Sequence, residues 1–219
     1  MAHRKILGVL GGEHMTADKV AAWVESADLV IAADSGMLRV LEAGFVPDVV
    51  IGDFDSISLE VVGPETEAII DNQQDNTDCG KLLDYASKMG YSEITLICAE
   101  GDLSDHFLDT VHCAVRSDLD VTIGLQRGRA HVLKGPSEKT IITTPGMRVS
   151  MLPLETVTNA SLSGVQWGFD CATLSVRGFT SISNAATDFQ LKVSFEEGAA
   201  YLFVESETPE WPVSIIDPA

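Results

Sequence analysis

The sequence predicts an α/β domain built on a mostly parallel sheet, followed by an all-β, sandwich-like domain. From residue 6 to about 124, short β-rich runs alternate with stretches of helical periodicity, the pattern left by parallel strands joined through crossover helices. Beyond Gly128 the chain changes to short apolar runs separated by Gly, Pro, Asn and Asp, with no helical stripe of useful length. The charge changes there too: residues 1–125 hold 23 acidic and 7 basic side chains, whereas residues 126–219 hold 10 and 7. These shifts put a boundary near 125–130, dividing 1–127 from 128–219.

In the first part, strands are expected at 6–10, 29–33, 48–51, 68–70, 93–98 and 120–125. Between them, Val20, Trp23, Val24 and Ala27 recur at i, i+3, i+4, i+7, as do Leu82, Tyr85, Ala86 and Met89. A third stripe runs through Leu108, Val111 and Val115. Thr16 and Ser58 have the chemistry of N-caps, and Gly44 and Gly90 that of helix stops. In the second part the strand-like runs are Lys139–Thr144, Met147–Leu152, Ala172–Arg177, Gln190–Phe195 and Ala199–Val204.

An apolar content of 45% in 219 residues is enough to build a core. The formal charge of −19 argues against a broad nucleic-acid surface and against docking on anionic membranes. Cys79, Cys98, Cys113 and Cys171 have neither CxxC nor zinc-ligand spacing and read as reduced thiols. The apolar run after Lys5 is too short for a signal peptide, and nothing later approaches spanning length, so the expected location is the cytoplasm.

In an open α/β sheet, ligands bind beyond the carboxyl ends of the strands. Asp34 follows the second expected strand, Asp53 and Asp55 the third, Asp75 and Asp78 the fourth after a loop, and Asp102 and Asp105 the fifth. An individual aspartate after a strand is most often a helix cap or turn residue. Convergence from four loops is harder to explain by capping, and carboxylates so gathered repel unless a cation intervenes. An all-oxygen ligand set suits Mg²⁺, which takes a few carboxylates together with phosphate oxygens, so a nucleotide polyphosphate site is implied. Lys81 reads either as a phosphate-directed cation or as a solvated helix lysine. The sequence has no GxxxxGK[ST] loop, no GxGxxG after the first strand, and no HRD or DFG set.

These motifs resemble the thiamine pyrophosphokinase family over nearly the whole chain. Ala33-Asp34-Ser35-Gly36 is similar to the family's ADGG, and Gly52-Asp53-Phe54-Asp55-Ser56-Ile57 to its most specific signature. Gln74-Asp75-Asn76-Thr77-Asp78 with Lys81 follows in the same order. Gly164-Val165-Gln166-Trp167 resembles GLKW, and Thr180-Ser181-Ile182-Ser183-Asn184 resembles TSxSN. The resemblance implies pyrophosphoryl transfer from ATP to thiamine by a homodimer, with an α/β catalytic domain that binds nucleotide and Mg²⁺ and a β-sandwich that binds thiamine between subunits. It makes Asp53, Asp55 and Asp78 metal or Mg-phosphate groups with Asp34 nearby, and puts Gln74, Thr77 and Lys81 on the ATP. Asp105, or one of the metal-site aspartates, is a candidate acceptor of the hydroxyl proton. Trp167 would stack on the pyrimidine of thiamine, with Ser183 and Asn184 hydrogen-bonded to it; outside that motif, Trp167 reads as a sandwich-core tryptophan.

One departure stands out. Where the family reads GRxDH, this chain has Gly101-Asp102-Leu103-Ser104-Asp105-His106, so Leu103 replaces the arginine, and Arg127 or Arg129 is left to supply the charge. Two other readings therefore stay open: a pyrophosphokinase for another heterocyclic alcohol such as a hydroxymethylpterin, and a non-catalytic thiamine- or nucleotide-binding regulator.

Overall fold

The structure, a computed structural model, describes residues 4–54, 62–72, 75–206 and 211. The chain forms two compact units, Met1–Gln126 and Arg127–Ala219.

The first unit runs β1 (Ile6–Val9), α1 (Ala17–Glu25), β2 (Leu29–Ala33), α2 (Gly36–Glu42), β3 (Val49–Gly52), β4 (Glu67–Ile70), α3 (Asp78–Lys88), β5 (Glu93–Ile97), α4 (Ser104–Arg116) and β6 (Asp120–Leu125). Its strands lie in the order β6-β5-β1-β2-β3-β4, each pair parallel. β1 and β3 are buried along their whole length, as a parallel sheet covered on both faces requires. β4 is the edge and is mostly exposed. β1 departs through α1 towards β2, whereas β5 departs through α4 towards β6, on the opposite side of the sheet order. The β1–β5 pair is therefore the topological switch point, where ligand crevices form in such sheets.

The helices follow the periodic stripes with instructive differences. α1 buries Val20, Trp23 and Val24 as expected, but Thr16, although at the N-cap, makes no side-chain capping bond. In α3, Leu82, Leu83 and Ala86 are buried, while Met89 has become an exposed C-cap. α4 differs most: Leu108 is exposed, and the buried face is Thr110, Val111, Cys113 and Ala114. That buried face consists of small and polar side chains, so the largest apolar residue did not mark it. Gly44 and Gly90 follow α2 and α3 with φ of 86° and 83°, the left-handed conformation that ends a helix. Ser58 lies outside the described residues.

The second unit runs β7 (Gly128–Lys134), β8 (Ser137–Ile142), β9 (Arg148–Pro153), β10 (Val157–Ser163), β11 (Phe169–Leu174), β12 (Ser181–Ala185), β13 (Gln190–Phe195) and β14 (Ala199–Glu205). Two antiparallel sheets result, one in the order β12-β9-β14-β7 and the other β11-β10-β13-β8. Leu133, Val149, Met151 and Leu202 from the first sheet share one apolar core with Leu162, Leu174, Leu191 and Phe195 from the second. The α/β-then-sandwich class is thus the observed architecture. Three strands lack an apolar run in the sequence, namely β7, β10 and β12. β7 buries Arg129 and His131, and β10 and β12 are rich in Ser, Thr and Asn, so alternation of hydrophobicity is lost in all three. Among the described residues no helix is long and apolar enough to cross a membrane.

Candidate functional site

The carboxyl ends of β2, β3, β4 and β5 lead into the segments that carry the predicted residues of the first unit. After β1, Leu10 N donates to Ile97 O (3.0 Å), Gly12 N to Cys98 O (2.7 Å) and His14 N to Glu100 O (3.2 Å), so the loop following β1 is pinned along the loop following β5. Asp34 directly follows β2 and is 1% exposed. A methyl group built on Gly52 would stand 2.6 Å from the Asp34 Cβ, so a glycine just before Asp53 lets the end of β3 lie close against Asp34. Phe54, between the two aspartates of the motif, has φ of 58°, an uncommon conformation for a bulky side chain and one that concentrates at functional sites. Asp55 and Gln74 lie outside the described residues. Among the described residues no three His, Cys, Asp or Glu side chains form a metal-binding group.

α3 begins at Thr77, whose hydroxyl accepts from Gly80 N (3.4 Å) and donates to Asp109 Oδ2 on α4 (2.7 Å). Lys81, one turn on, is not a solvated lysine: its side chain is 3% exposed, and its Nζ lies 3.3 Å from Asp78 Oδ1. Asp78 itself is 42% exposed, so the ammonium is more deeply buried than the carboxylate that balances it. A buried cation is costly unless anions surround it.

At the start of α4, Asp105 is exposed in the first turn. Leu103 is the N-cap residue, offers no capping bond and is 62% exposed. Asp102 Oδ2 meets His106 Nδ1 at 2.6 Å. The Leu103 backbone N–H, followed by His106, holds the Asp102 carboxyl below the usual carboxylate range. This pair was not expected from the sequence, although its i, i+4 spacing carries the signal. Arg127 pairs with Glu205 (3.0 Å), and buried Arg129 donates to Ile142 O (3.1 Å), both within the second unit.

In the second unit, Trp167 is 59% exposed, so it is not a core tryptophan. Asn184, 2% exposed, is the reason for its position: its Oδ1 accepts from Trp167 N (3.1 Å), and its Nδ2 donates to Trp167 O (2.8 Å) and Ser181 Oγ (3.3 Å). The Asn184 amide is thus a clamp on the Trp167 backbone. The β12–β9 register shifts between Ser181 and Asn184, and Ser183 has φ of 58°. That irregularity turns Asn184 inward and leaves Ser183 exposed, its N–H donating to the buried Ser150 Oγ (3.0 Å). The supporting roles of Ser150 and Asp109 were not legible, because each joins residues more than thirty positions apart without a shared motif.

Two family models match the chain: the catalytic domain of thiamin pyrophosphokinase over residues 20–124, and the vitamin B1 binding domain of thiamin pyrophosphokinase over 131–200. The chain belongs to the thiamine pyrophosphokinase family. The thiamine pyrophosphokinase of Bacillus subtilis (strain 168) is 24% identical over 200 residues, covering 87% of this chain and 93% of the relative. The solved thiamin pyrophosphokinase of Geobacillus thermodenitrificans superposes with a TM-score of 0.76 at 25% identity, covering 93% of this chain and 98% of that one. The Candida albicans thiamin pyrophosphokinase shares the fold at 15% identity, with a TM-score of 0.75 and coverage of 93% and 90%. This family is one of diphosphotransferases, so the chain is that of an enzyme.

Proposed function

We propose that the protein transfers a pyrophosphoryl group from ATP to the hydroxyl of thiamine, giving thiamine diphosphate and AMP. The observation that carries this reading is the exposed Trp167 clamped by Asn184, because an indole held out of a sandwich core offers a flat face to an electron-poor ring. Ser183, exposed beside the clamp in sequence, supplies a hydroxyl for that ring. The family's homodimer, with thiamine between subunits, completes the proposal.

In the first unit, Lys81 receives the polyphosphate: a bound phosphate supplies the additional negative charge that its burial favours. Thr77, held by Asp109, presents α3's first turn to the same phosphates. The donor set fits Mg²⁺, which needs only one or two carboxylates besides phosphate and water, and Asp53, Asp55 and Asp78, with Asp34 nearby, would hold it. When bound, the ion neutralises charge on the transferred group. The hydroxyl oxygen of thiamine forms a bond to the β-phosphorus, the bond from that phosphorus to the bridging oxygen of AMP breaks, and AMP leaves with the electron pair. Asp105 accepts the hydroxyl proton, and Lys81 balances the developing charge.

The test is AMP formation from ATP, measured with thiamine, with a hydroxymethylpterin and with neither. Release of AMP only with thiamine supports the reading; release with the pterin instead would reassign the substrate. A second reading, a non-catalytic binding protein, is favoured by the exposed Leu103 at the position of the family's arginine. Thiamine binding without any AMP release would establish it.

A further inference from the structure

The irregularity between β9 and β12 has a residue of its own that holds it. Met151 pairs with Ser181 and Val149 with Asn184, so the one residue between them on β9, Ser150, stands opposite two on β12, Ile182 and Ser183. One strand thus carries an extra residue, the arrangement of a β-bulge. Residues opposite each other in a ladder point to the same face of the sheet, and successive residues to opposite faces. Val149 and Met151 lie in the sandwich core, and their partners Asn184 and Ser181 are buried with them. Ser150 therefore belongs to the other face, as do Ile182 and Ser183, both exposed.

An extra residue falls out of the ladder, so its N–H needs an acceptor from elsewhere. For Ser183 that acceptor is Ser150 Oγ, at 3.0 Å. Ser183 has φ of 58°, a left-handed conformation that is unfavourable for any residue with a Cβ and persists only where its surroundings over-determine it. Ser150 is 4% exposed, so packing fixes its oxygen, whereas water accepting from an exposed N–H would fix nothing. The direction of the Ser183 hydroxyl follows from the φ and ψ of its own backbone. Trp167 is held by a separate device, the Asn184 amide, which bonds both its N–H and its C=O.

We propose that Ser150 is a positioning residue for the ring-binding part of the sandwich. Its hydroxyl oxygen holds the left-handed backbone of Ser183 and so aims the Ser183 hydroxyl at the heterocycle that Trp167 stacks on. Ser150 acts through Ser183 and not on the ring itself. Without that bond Ser183 relaxes towards negative φ, and ring binding then includes the cost of restoring the turn. The effect on the ring rests on the function proposed above; the hold on Ser183 does not.

The experiment uses the full-length protein with two readouts: affinity for thiamine and for ATP with Mg²⁺ by titration calorimetry, and residue-resolved amide exchange by NMR without ligand. Ser150→Ala should weaken thiamine binding by roughly fivefold, the size of one lost hydrogen bond, and leave ATP affinity unchanged. In the same variant the Ser183 amide should exchange about tenfold faster, while the Trp167 amide, held by Asn184, keeps its rate. Ser150→Thr and Ser150→Val add the same bulk and differ by one hydroxyl, so comparing them separates the hydrogen bond from any change in packing. The Ser150→Thr protein should bind thiamine more tightly than the Ser150→Val protein, again by roughly fivefold. Because Ser150 acts through Ser183, the double variant Ser150→Ala, Ser183→Ala should bind thiamine no worse than Ser183→Ala. Equal thiamine affinity in the Ser150→Thr and Ser150→Val proteins, or losses that add in the double variant, would overturn the positioning role. A parallel fall in ATP affinity would overturn it too, since the damage would then be general. An unchanged Ser183 exchange rate in Ser150→Ala would overturn the hold on the backbone. Absence of thiamine binding by the wild type points instead to failure of the function proposed above, and the exchange rates still decide whether Ser150 holds Ser183.

Discussion

The two units present their candidate residues in opposite ways. In the α/β unit the side chains are delivered by topology: parallel strands end on one edge, and the glycine before Asp53 lets the end of β3 lie close against Asp34. In the sandwich unit the antiparallel ladder is interrupted instead. A register shift and a left-handed Ser183 turn Asn184 into the interior, where it fixes an exposed tryptophan. Regular structure makes the first site and a departure from it makes the second. Substitutions in the first should therefore damage chemistry more than folding, and substitutions in the second should do both.

The largest expected effect is on turnover in the first unit. Asp53→Asn should lower kcat by roughly a thousandfold, the loss typical of removing one electrostatic contact to a transferring group. Its melting temperature should stay within a few degrees of the wild type; a similar loss of stability would mean that the aspartate is structural and would erase the contrast.

Next in size is a pH effect in the second unit. Burial, then Arg129 and Lys139, holds the His131 imidazole down to about 3 from an ordinary 6.5. Below pH 6.5 the unfolded chain takes up a proton that the folded chain refuses, so stability falls as the pH drops from 6.5 towards 3. The full loss is on the order of 4 kcal/mol. Urea unfolding of wild type and His131→Gln across that range should show a stability difference that changes with pH and levels off near 3. A constant difference would mean that the histidine is not the titrating group.

Asn184→Ala should cost about 2 kcal/mol, because the N–H and C=O of Trp167 lose their partner. It should also raise the KM for thiamine more than that for ATP. Asn184→Asp sharpens the test, since a carboxylate can accept from Trp167 N but cannot donate to Trp167 O. An unchanged KM in both variants would detach the clamp from the ligand. The smallest effect is expected for Thr77→Ala, at about 1 kcal/mol from the lost cap, accompanied by a raised KM for ATP.

Much of the first unit was legible because its signals are local. Apolar runs of four to six residues and the Val20-Trp23-Val24 stripe report burial directly. The aspartates stand out because they follow those runs. Legibility failed where burial exchanged size for fit: α4 buries Thr110, Val111, Cys113 and Ala114, while Leu108 faces outward. It failed again in β7, β10 and β12, whose polar residues carry no period. For Asn184 the motif drew attention to the right residue, but its hydrogen bonds go to a backbone seventeen positions away.

The sequence by itself determined the order of α/β and sandwich units, the strand-end aspartates and the family, since each is written in neighbouring residues through period, spacing and motif. Only the tertiary structure decided that Lys81 is buried against Asp78 and that Trp167 is held outward by Asn184. The reason is physical: burial and polar pairing depend on what approaches from a distant part of the chain, and no local pattern specifies that partner.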